Sequence, residues 1–291
     1  MTKIVEKTFD EVAKQYDNIK VQIIPNYEKM QKIALDSVNF PVNKHISILE
    51  IGTGTGSFAL ELLNKYTKAK YCGIDLSSKM LEIASHNLKN FKNQIILEKI
   101  DINKQKLKGK YDLIISFFTI HHAIDKNKLI SSIFNRLNKN GIFINVDITI
   151  DNSKVKENQF MQNWKTFMEL SPFPNERIKY VIQDHLDNDI PETIDSQIEY
   201  LKNVGFSNVK LLFEFEKFTI FYGSKESQPW SVSLEMYSIP CSFFLNFKGS
   251  VFTYFSSKKN ITHVNKFTHC YPKFNYMKFC LRKKIKKKYF I

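Results

Sequence analysis

Arginine is nearly missing from this chain: Arg136, Arg177 and Arg282 are the only three among 43 basic residues in a length of 291. Guanidinium is the side chain that forks onto phosphates and base edges, so the chain is poorly equipped as a dedicated reader of nucleic-acid sequence despite a formal charge of +14. The charge is also unevenly placed. Residues 226–291 hold 12 Lys and Arg against two acids, Glu226 and Glu235, a net of +10, whereas residues 1–225 hold 31 against 27, a net of +4. Four cysteines, Cys72, Cys241, Cys270 and Cys280, are too few and too scattered for a disulfide scaffold. A reducing, cytoplasmic setting is expected. No apolar run approaches the length of a membrane span, and residues 1–10 are polar and charged, unlike a secretory signal. Glycine is scarce as well, at nine residues. What remains is a chain long enough to bury a full α/β core with room for additions.

Three of the nine glycines fall in one stretch, residues 46–56, ISILEIGTGTG. Ile46, Ile48, Leu49 and Ile51 read as a buried strand, and residues 57–68 carry apolar residues at helical spacing. Gly52, Thr53, Gly54 and Gly56 therefore occupy a strand-to-helix turn. A ligand can approach the backbone closely there, and the new helix points free N–H groups and its positive dipole end at the site. A dinucleotide fingerprint would place its third glycine on Ser57. The spacing here is G-x-G-x-G after an acidic residue, Glu50. An ordinary tight turn is the plainer reading of the same glycines.

This pattern resembles motif I of the class I S-adenosylmethionine-dependent methyltransferases, and further elements follow in the family's order over about 100 residues. A second strand at residues 70–74 ends in Asp75 and Leu76; a third at 94–99 is followed by Asp101 and Ile102; a fourth at 111–117 follows an aromatic-Asp pair, Tyr111-Asp112; a fifth begins at Gly141 after Leu137-Asn138-Lys139-Asn140. The family's Pro-Gly-Gly turn before that strand is reduced to one glycine. The resemblance implies that Asp75 takes the two ribose hydroxyls of S-adenosylmethionine and that Asp101 sits beside its adenine amino group. Ser116 is also carried over as a cofactor contact. Asp75 could instead cap a helix, a role open to Ser77 as well, and Asp101 could simply form a turn. The implied fold is an α/β, Rossmann-like, doubly wound sheet of seven strands in order 3-2-1-4-5-7-6 with an antiparallel last strand. No metal is expected.

Flanking segments divide the chain into residues 1–45, 46–225 and 226–291. The first contains Phe9-Asp10-Glu11-Val12-Ala13 and Tyr16-Asp17, on apolar spacing for a helix ending near Pro25. In the resembling families such an opening is a lid with its Tyr near the methionine end of the cofactor; a helix packed on the sheet edge is the alternative. After the fifth strand, residues 151–192 form an insert with Phe160, Trp164, Phe167 and Met168 on one helical face and a second helix at 176–186. Trp164 is a candidate for the acceptor pocket, or packs the insert onto the domain. Arg177 either meets an acidic acceptor or makes a surface ion pair. A helix at 194–204 precedes Gly205-Phe206, and two strands at 209–215 and 218–222 close the sheet. Residues 226–291 match nothing in the family. Their basic cluster at 282–288 reads as an RNA or anionic-surface contact, a solvated end, or a non-functional extension. Pro240-Cys241 stands past the sheet, out of place for a cytosine-C5 methyltransferase nucleophile.

Acceptor chemistry should lie after the fourth strand, in Ser116-Phe117-Phe118-Thr119-Ile120-His121-His122, at the sheet edge where open α/β folds bind ligands. The segment lacks the Asp/Asn-Pro-Pro-aromatic motif that holds a nucleobase amine. Phe118 is a candidate acceptor contact. His121 and His122 are candidates for a general base, or else cap the next helix or bond the sheet edge. The expected activity is methyl transfer to a small-molecule acceptor. The alternatives are a carboxy-S-adenosylmethionine synthase-like enzyme of tRNA wobble-uridine modification and a non-catalytic cofactor binder acting through its basic tail. In the synthase an arginine on the helix before the Gly-Phe turn holds the extra carboxylate, and here Gln197-Ile198-Glu199-Tyr200-Leu201-Lys202 has none.

Overall fold

The computed structural model describes residues 2–226, 243–247 and 250–254. The chain divides into two units, Met1–Pro229 and Trp230–Ile291. The first opens with helices α1 (Thr2–Val12), α2 (Tyr16–Ile23) and α3 (Tyr27–Ser37). It continues as β1 (Ser47–Ile51), α4 (Ser57–Lys65), β2 (Lys70–Asp75), α5 (Ser78–Asn87), β3 (Ile95–Lys99), β4 (Tyr111–Phe117), α6 (Lys126–Arg136), β5 (Leu137–Ile148), α7 (Lys154–Leu170), α8 (Asn175–Asn188), α9 (Ile194–Asn203), β6 (Ser207–Phe215) and β7 (Phe218–Ser224). In the second unit β8 (Phe243–Phe247) pairs antiparallel with β9 (Ser250–Tyr254). The sequence-expected basic cluster and Pro240-Cys241 lie outside the described residues.

The sheet order is β3-β2-β1-β4-β5-β7-β6, as the resemblance implied. Strands β1 to β5 pair in parallel, and β7 runs antiparallel to both β5 and β6. Because helices cover both faces, the central strands are apolar on both sides. Ile48, Leu113, Ile115, Ile142, Ile144 and Val146 pack with Met30, Leu62 and Trp164 of α3, α4 and α7. Their neighbours Leu49, Ile114 and Phe143 pack with Ile133 of α6 and Leu201 of α9 on the other face. Ser77, Asp125, Ser153 and Thr193 each accept a backbone N–H at the start of a helix, and so fix where α5, α6, α7 and α9 begin.

Three local expectations differ from the fold. The single helix expected up to Pro25 is two helices joined by a 3-10 turn at Ala13–Gln15, which lets α1 and α2 present side chains to the same opening. The fifth strand starts at Leu137, four residues before Gly141. Its first residues form an irregular stretch with Asn140 at φ 60 and a register shift between Tyr111 and Leu113, pinned by Asn138 Nδ2 donating to Asp112 Oδ1 at 3.2 Å. The helix expected over 57–68 stops at Lys65, because the next residue, Tyr66, turns its buried hydroxyl onto the Val38 carbonyl at 2.6 Å.

Candidate functional site

Ile51, Asp75 and Phe117 end β1, β2 and β4 at one edge of the sheet, and the chain order reverses between β1 and β4, where open α/β folds leave a crevice. A cavity of about 990 Å³, counting the space open at its mouth, lies over that edge. Glu50, Gly52, Thr53, Gly54, Asp75, Leu76, Asp101 and Ile102 all line it. The loop's first glycine sits at φ 75 with no room for a side chain: a Cβ on Gly52 would fall 1.8 Å from Thr119 Oγ1. Gly54 faces the open space, its nearest neighbour there being Tyr16 Cε1 at 3.8 Å. Gly56 does not line the cavity. It allows the start of α4 to touch α5, since a Cβ would lie 3.2 Å from that of Ala84.

Charge on this floor is held by backbone. Asp75 accepts from Gly54 N at 2.8 Å and Ser77 N at 2.9 Å, which lower its pKa, but burial is larger and raises it overall. Glu50 is buried beneath the loop with Tyr71 OH and Thr53 Oγ1 donating to it; burial outweighs those bonds and nearby Lys20 and pushes its pKa up to about 8. Asp101 anchors its own turn through Asn103 N at 3.0 Å, while Lys104 Nζ stands 2.8 Å from Oδ2 without hydrogen-bond alignment.

The roof comes from the first two helices. Val5, Phe9, Tyr16 and Lys20 line the cavity, and two aspartates tie these helices to the floor. Asp10 accepts from Ser77 Oγ at 2.5 Å, and Asp17 accepts from Thr55 Oγ1 at 2.8 Å and from Lys20 at 2.5 Å. Lys20, which sequence reasoning passed over, is the notable side chain. It is 5% exposed, donates to Ser57 Oγ at the start of α4 at 2.6 Å, and lies 5.0 Å from the centre of the Tyr27 ring. Its signal was available: Lys20 falls one helical turn beyond Tyr16 and Asp17, both already placed on that helix. Thr55, Asn103 and Thr119 also line the cavity unforeseen.

On the acceptor side the backbone leaves β4 under strain, with Phe118 at φ 46 and its N–H bonded to the Val146 carbonyl at 2.7 Å. Phe117, Phe118, Tyr27 and His122 line this end, Phe118 stacking on Tyr27 at 6.2 Å between ring centres. His122 meets the edge of Phe9 at 6.0 Å. Burial and the neighbouring His121 lower its pKa, so the ring is neutral near pH 7.

Besides Gly56, four of the expected residues lie away from the cavity. Ser116 is interior to β4 and donates to the Ile51 carbonyl at 3.1 Å. His121 points into the protein. Its Nδ1 is paired with Asp147, its Nε2 is 3.5 Å from Asp189 Oδ1, and although burial opposes charge, Asp189 and Asp147 hold its pKa at about 9. Trp164 is 6% exposed within the core, donating Nε1 to the Ile23 carbonyl at 2.6 Å and stacking on Phe160. Arg177 is half-buried on α8 with its guanidinium 6.0 Å from the Phe173 ring. Strand alternation places Ser116 on the face opposite Phe117, and the 3-10 turn at Ile120–His122 sends His121 and His122 in different directions.

The family profile Methyltransf_31, a methyltransferase domain, matches residues 42–212, more than half of the chain. The chain belongs to the class I S-adenosylmethionine-dependent methyltransferases. Within that family this methyltransferase is 27% identical over 232 residues to the carboxy-S-adenosyl-L-methionine synthase of Nautilia profundicola, covering 77% of this chain and 97% of that one. It is 32% identical over 143 residues to malonyl-[acyl-carrier protein] O-methyltransferase 1 of Ilyobacter polytropus, covering 48% of this chain and 50% of that one. In fold it is similar to the CurJ carbon methyltransferase, with a TM-score of 0.53 at 16% identity over 72% of this chain; it spans 57% of that solved chain. The cofactor is S-adenosylmethionine. The lining fits it: a φ-positive glycine loop, a helix N-terminus, two strand-end carboxylates and an apolar bed from Leu76 and Ile102. Among the described residues no helix is long and apolar enough to cross a membrane.

Proposed function

We propose that this methyltransferase acts on a small-molecule acceptor in the cytoplasm. The observation that carries the reading is the shape of the acceptor end. It is a pocket walled by Phe117, Phe118 and Tyr27 beneath Phe9, with one imidazole, His122, at its side. A base embedded in nucleic acid would have to enter beneath α1 and α2, which Asp10 and Asp17 tie down.

S-adenosylmethionine supplies an electrophilic methyl group on a sulfonium, and in-line displacement requires chiefly that the acceptor be held in register with it. Asp75 and Asp101 would hold the ribose and adenine ends, and Gly52 and Gly54 would let the backbone approach. Lys20, a buried cation at the head of α4, would take the cofactor's carboxylate, and Tyr16 beside it would close the methionine end. Phe118 would pack the acceptor. His122, neutral near pH 7, could accept a proton from an acceptor that must lose one. His121 serves this arrangement from behind, and Trp164 and Arg177 support the insert rather than the pocket wall. Four scattered cysteines suit a reducing compartment. Residues 226–291 are read as an appended basic segment able to meet RNA or an anionic surface.

The relatives named carboxy-S-adenosyl-L-methionine synthase favour a second reading. Against it, α9 carries no arginine, and its Gln197, Tyr200 and Leu201 line a separate small cavity beside Phe143 and Phe221. One experiment decides between them: incubation with S-adenosylmethionine and prephenate, followed by mass spectrometry, alongside identification of whatever ligand the purified protein retains. The expected result is no carboxylated sulfonium, with S-adenosylhomocysteine formed once a suitable acceptor is supplied. Formation of the carboxylated cofactor overturns the proposal.

A further inference from the structure

Behind the acceptor end lies a cluster that methyl transfer does not require. The 3-10 turn at Ile120–His122 brings His121 and His122 side by side, ring centres 4.1 Å apart, against Asp189 at the end of α8. Asp189 Oδ1 lies 3.2 Å from His122 Nδ1 and 3.5 Å from His121 Nε2, and the three donor atoms fall within 4.8 Å of one another. His122 is buried: its Nδ1 faces Asp189 Oδ1, and its Nε2 has no hydrogen-bond partner. A buried ring nitrogen left without a partner is unfavourable.

We propose that His121 Nε2, His122 Nδ1 and Asp189 Oδ1 hold a zinc-type divalent ion. Two imidazole nitrogens and one carboxylate oxygen make a three-ligand set of the kind that leaves a fourth position open. Donors about 2.0–2.1 Å from a tetrahedral ion stand roughly 3.3 Å apart, close to the 3.2 and 3.5 Å seen from Asp189. The supporting contacts are those metal ligands ordinarily need. Asp147 is paired with His121 Nδ1, which fixes that ring and leaves Nε2 for the ion. His185 Nδ1 pairs with Asp189 Oδ2 at 2.7 Å, which leaves Oδ1 free, and Trp164 packs on the His185 ring at 5.3 Å. The Ile190 N–H bond to the His121 carbonyl at 2.9 Å locks the end of α8 against the turn. Because His122 also lines the cavity, the ion would stand at the acceptor end, with its open position available to an oxygen or sulfur of the acceptor. An ion on Nδ1 would take the lone pair of His122, so it would replace the proton-accepting role given to that ring above, while the reading of the cofactor end is independent of it.

The test is cobalt(II) and zinc binding to the chelator-treated full-length protein, followed by visible absorption and elemental analysis, with S-adenosylmethionine affinity measured on the same samples. One ion per chain with tetrahedral cobalt bands is expected. Asp189→Asn and His122→Gln should each weaken binding 100-fold or more, and His185→Phe by about tenfold through the second ligand shell. Circular dichroism checks that each variant folds. Wild-type protein that takes up no ion, or variants that bind as tightly as wild type, would overturn the proposal and leave the cluster an ion-pair network. Lost cofactor affinity with retained cobalt bands would instead count against the reading of the cavity.

Discussion

The two ends of one cavity are built by different means. The cofactor end is made of chain that is nearly continuous at each strand tip: Glu50 to Thr55, Asp75 to Ser77, and Asp101 to Asn103. Its polar contacts are mostly to backbone, as where Gly54 N and Ser77 N meet Asp75. The acceptor end is assembled from side chains of separate elements, with Phe9 from α1, Tyr27 from α3, and Phe118 and His122 from the turn after β4. Backbone recognition imposes rules on residue type that recur, such as glycine where a Cβ has no space. Side-chain recognition imposes few, so its chemistry can vary on the same sheet.

The largest effect should come from breaking the backbone end. Gly52→Ala puts a methyl on Thr119 at a φ of 75 and is expected to cost about 3 kcal/mol and to reduce S-adenosylmethionine affinity at least 100-fold, measured by thermal melting and calorimetry. An effect confined to stability would mean that the loop does not touch cofactor.

Next comes Glu50. Its folded-state pKa of about 8 lies above its ordinary 4.5, so between those values the folded protein keeps a proton that the unfolded chain has released. Stability of the cofactor-free protein should therefore fall as pH rises from about 5 to 8, by at most about 1.4 kcal/mol per pH unit. Glu50→Gln should flatten that part of the profile, followed by denaturant unfolding. A profile unchanged by the substitution would assign the slope to other groups.

Lys20→Met tests whether the roof belongs to the cofactor end. About a tenfold loss of cofactor affinity is expected, one charge-assisted contact being worth about 1.5 kcal/mol. Unchanged cofactor affinity with a raised acceptor KM would move Lys20 to the other end. The smallest effect is expected at Trp164→Phe, which removes the bond to the Ile23 carbonyl and keeps the ring stacking. About 1 kcal/mol of stability should be lost with acceptor KM unchanged.

The same contrast explains how much could be read from sequence. The glycine loop, Asp75 and Asp101 were legible because each belongs to a local pattern of an apolar strand and the turn that follows it; the sheet order came from the family resemblance, which local periodicity alone cannot supply. Lys20 had only a weak signal, its place one helical turn beyond Tyr16 and Asp17, because a lysine on a polar helix is ordinarily solvated and only folding α2 over α4 buries it. Ser116 and His121 were misplaced by one step of alternation, since Phe117 and His122 take the cavity side. Trp164 belongs to a helical stripe whose destination, core or pocket, spacing alone leaves open. The His121, His122 and Asp189 cluster joins two segments far apart in sequence, with no spacing rule to announce it.

The central claim is that the strand-tip end of the cavity binds S-adenosylmethionine with Asp75 at the ribose. Calorimetric titration of the wild-type protein and of Asp75→Ala with S-adenosylmethionine tests it most directly. One-to-one binding by the wild type and an affinity at least roughly tenfold lower in Asp75→Ala are the results this account predicts; no binding by the wild type, or equal affinity in the two proteins, would contradict it.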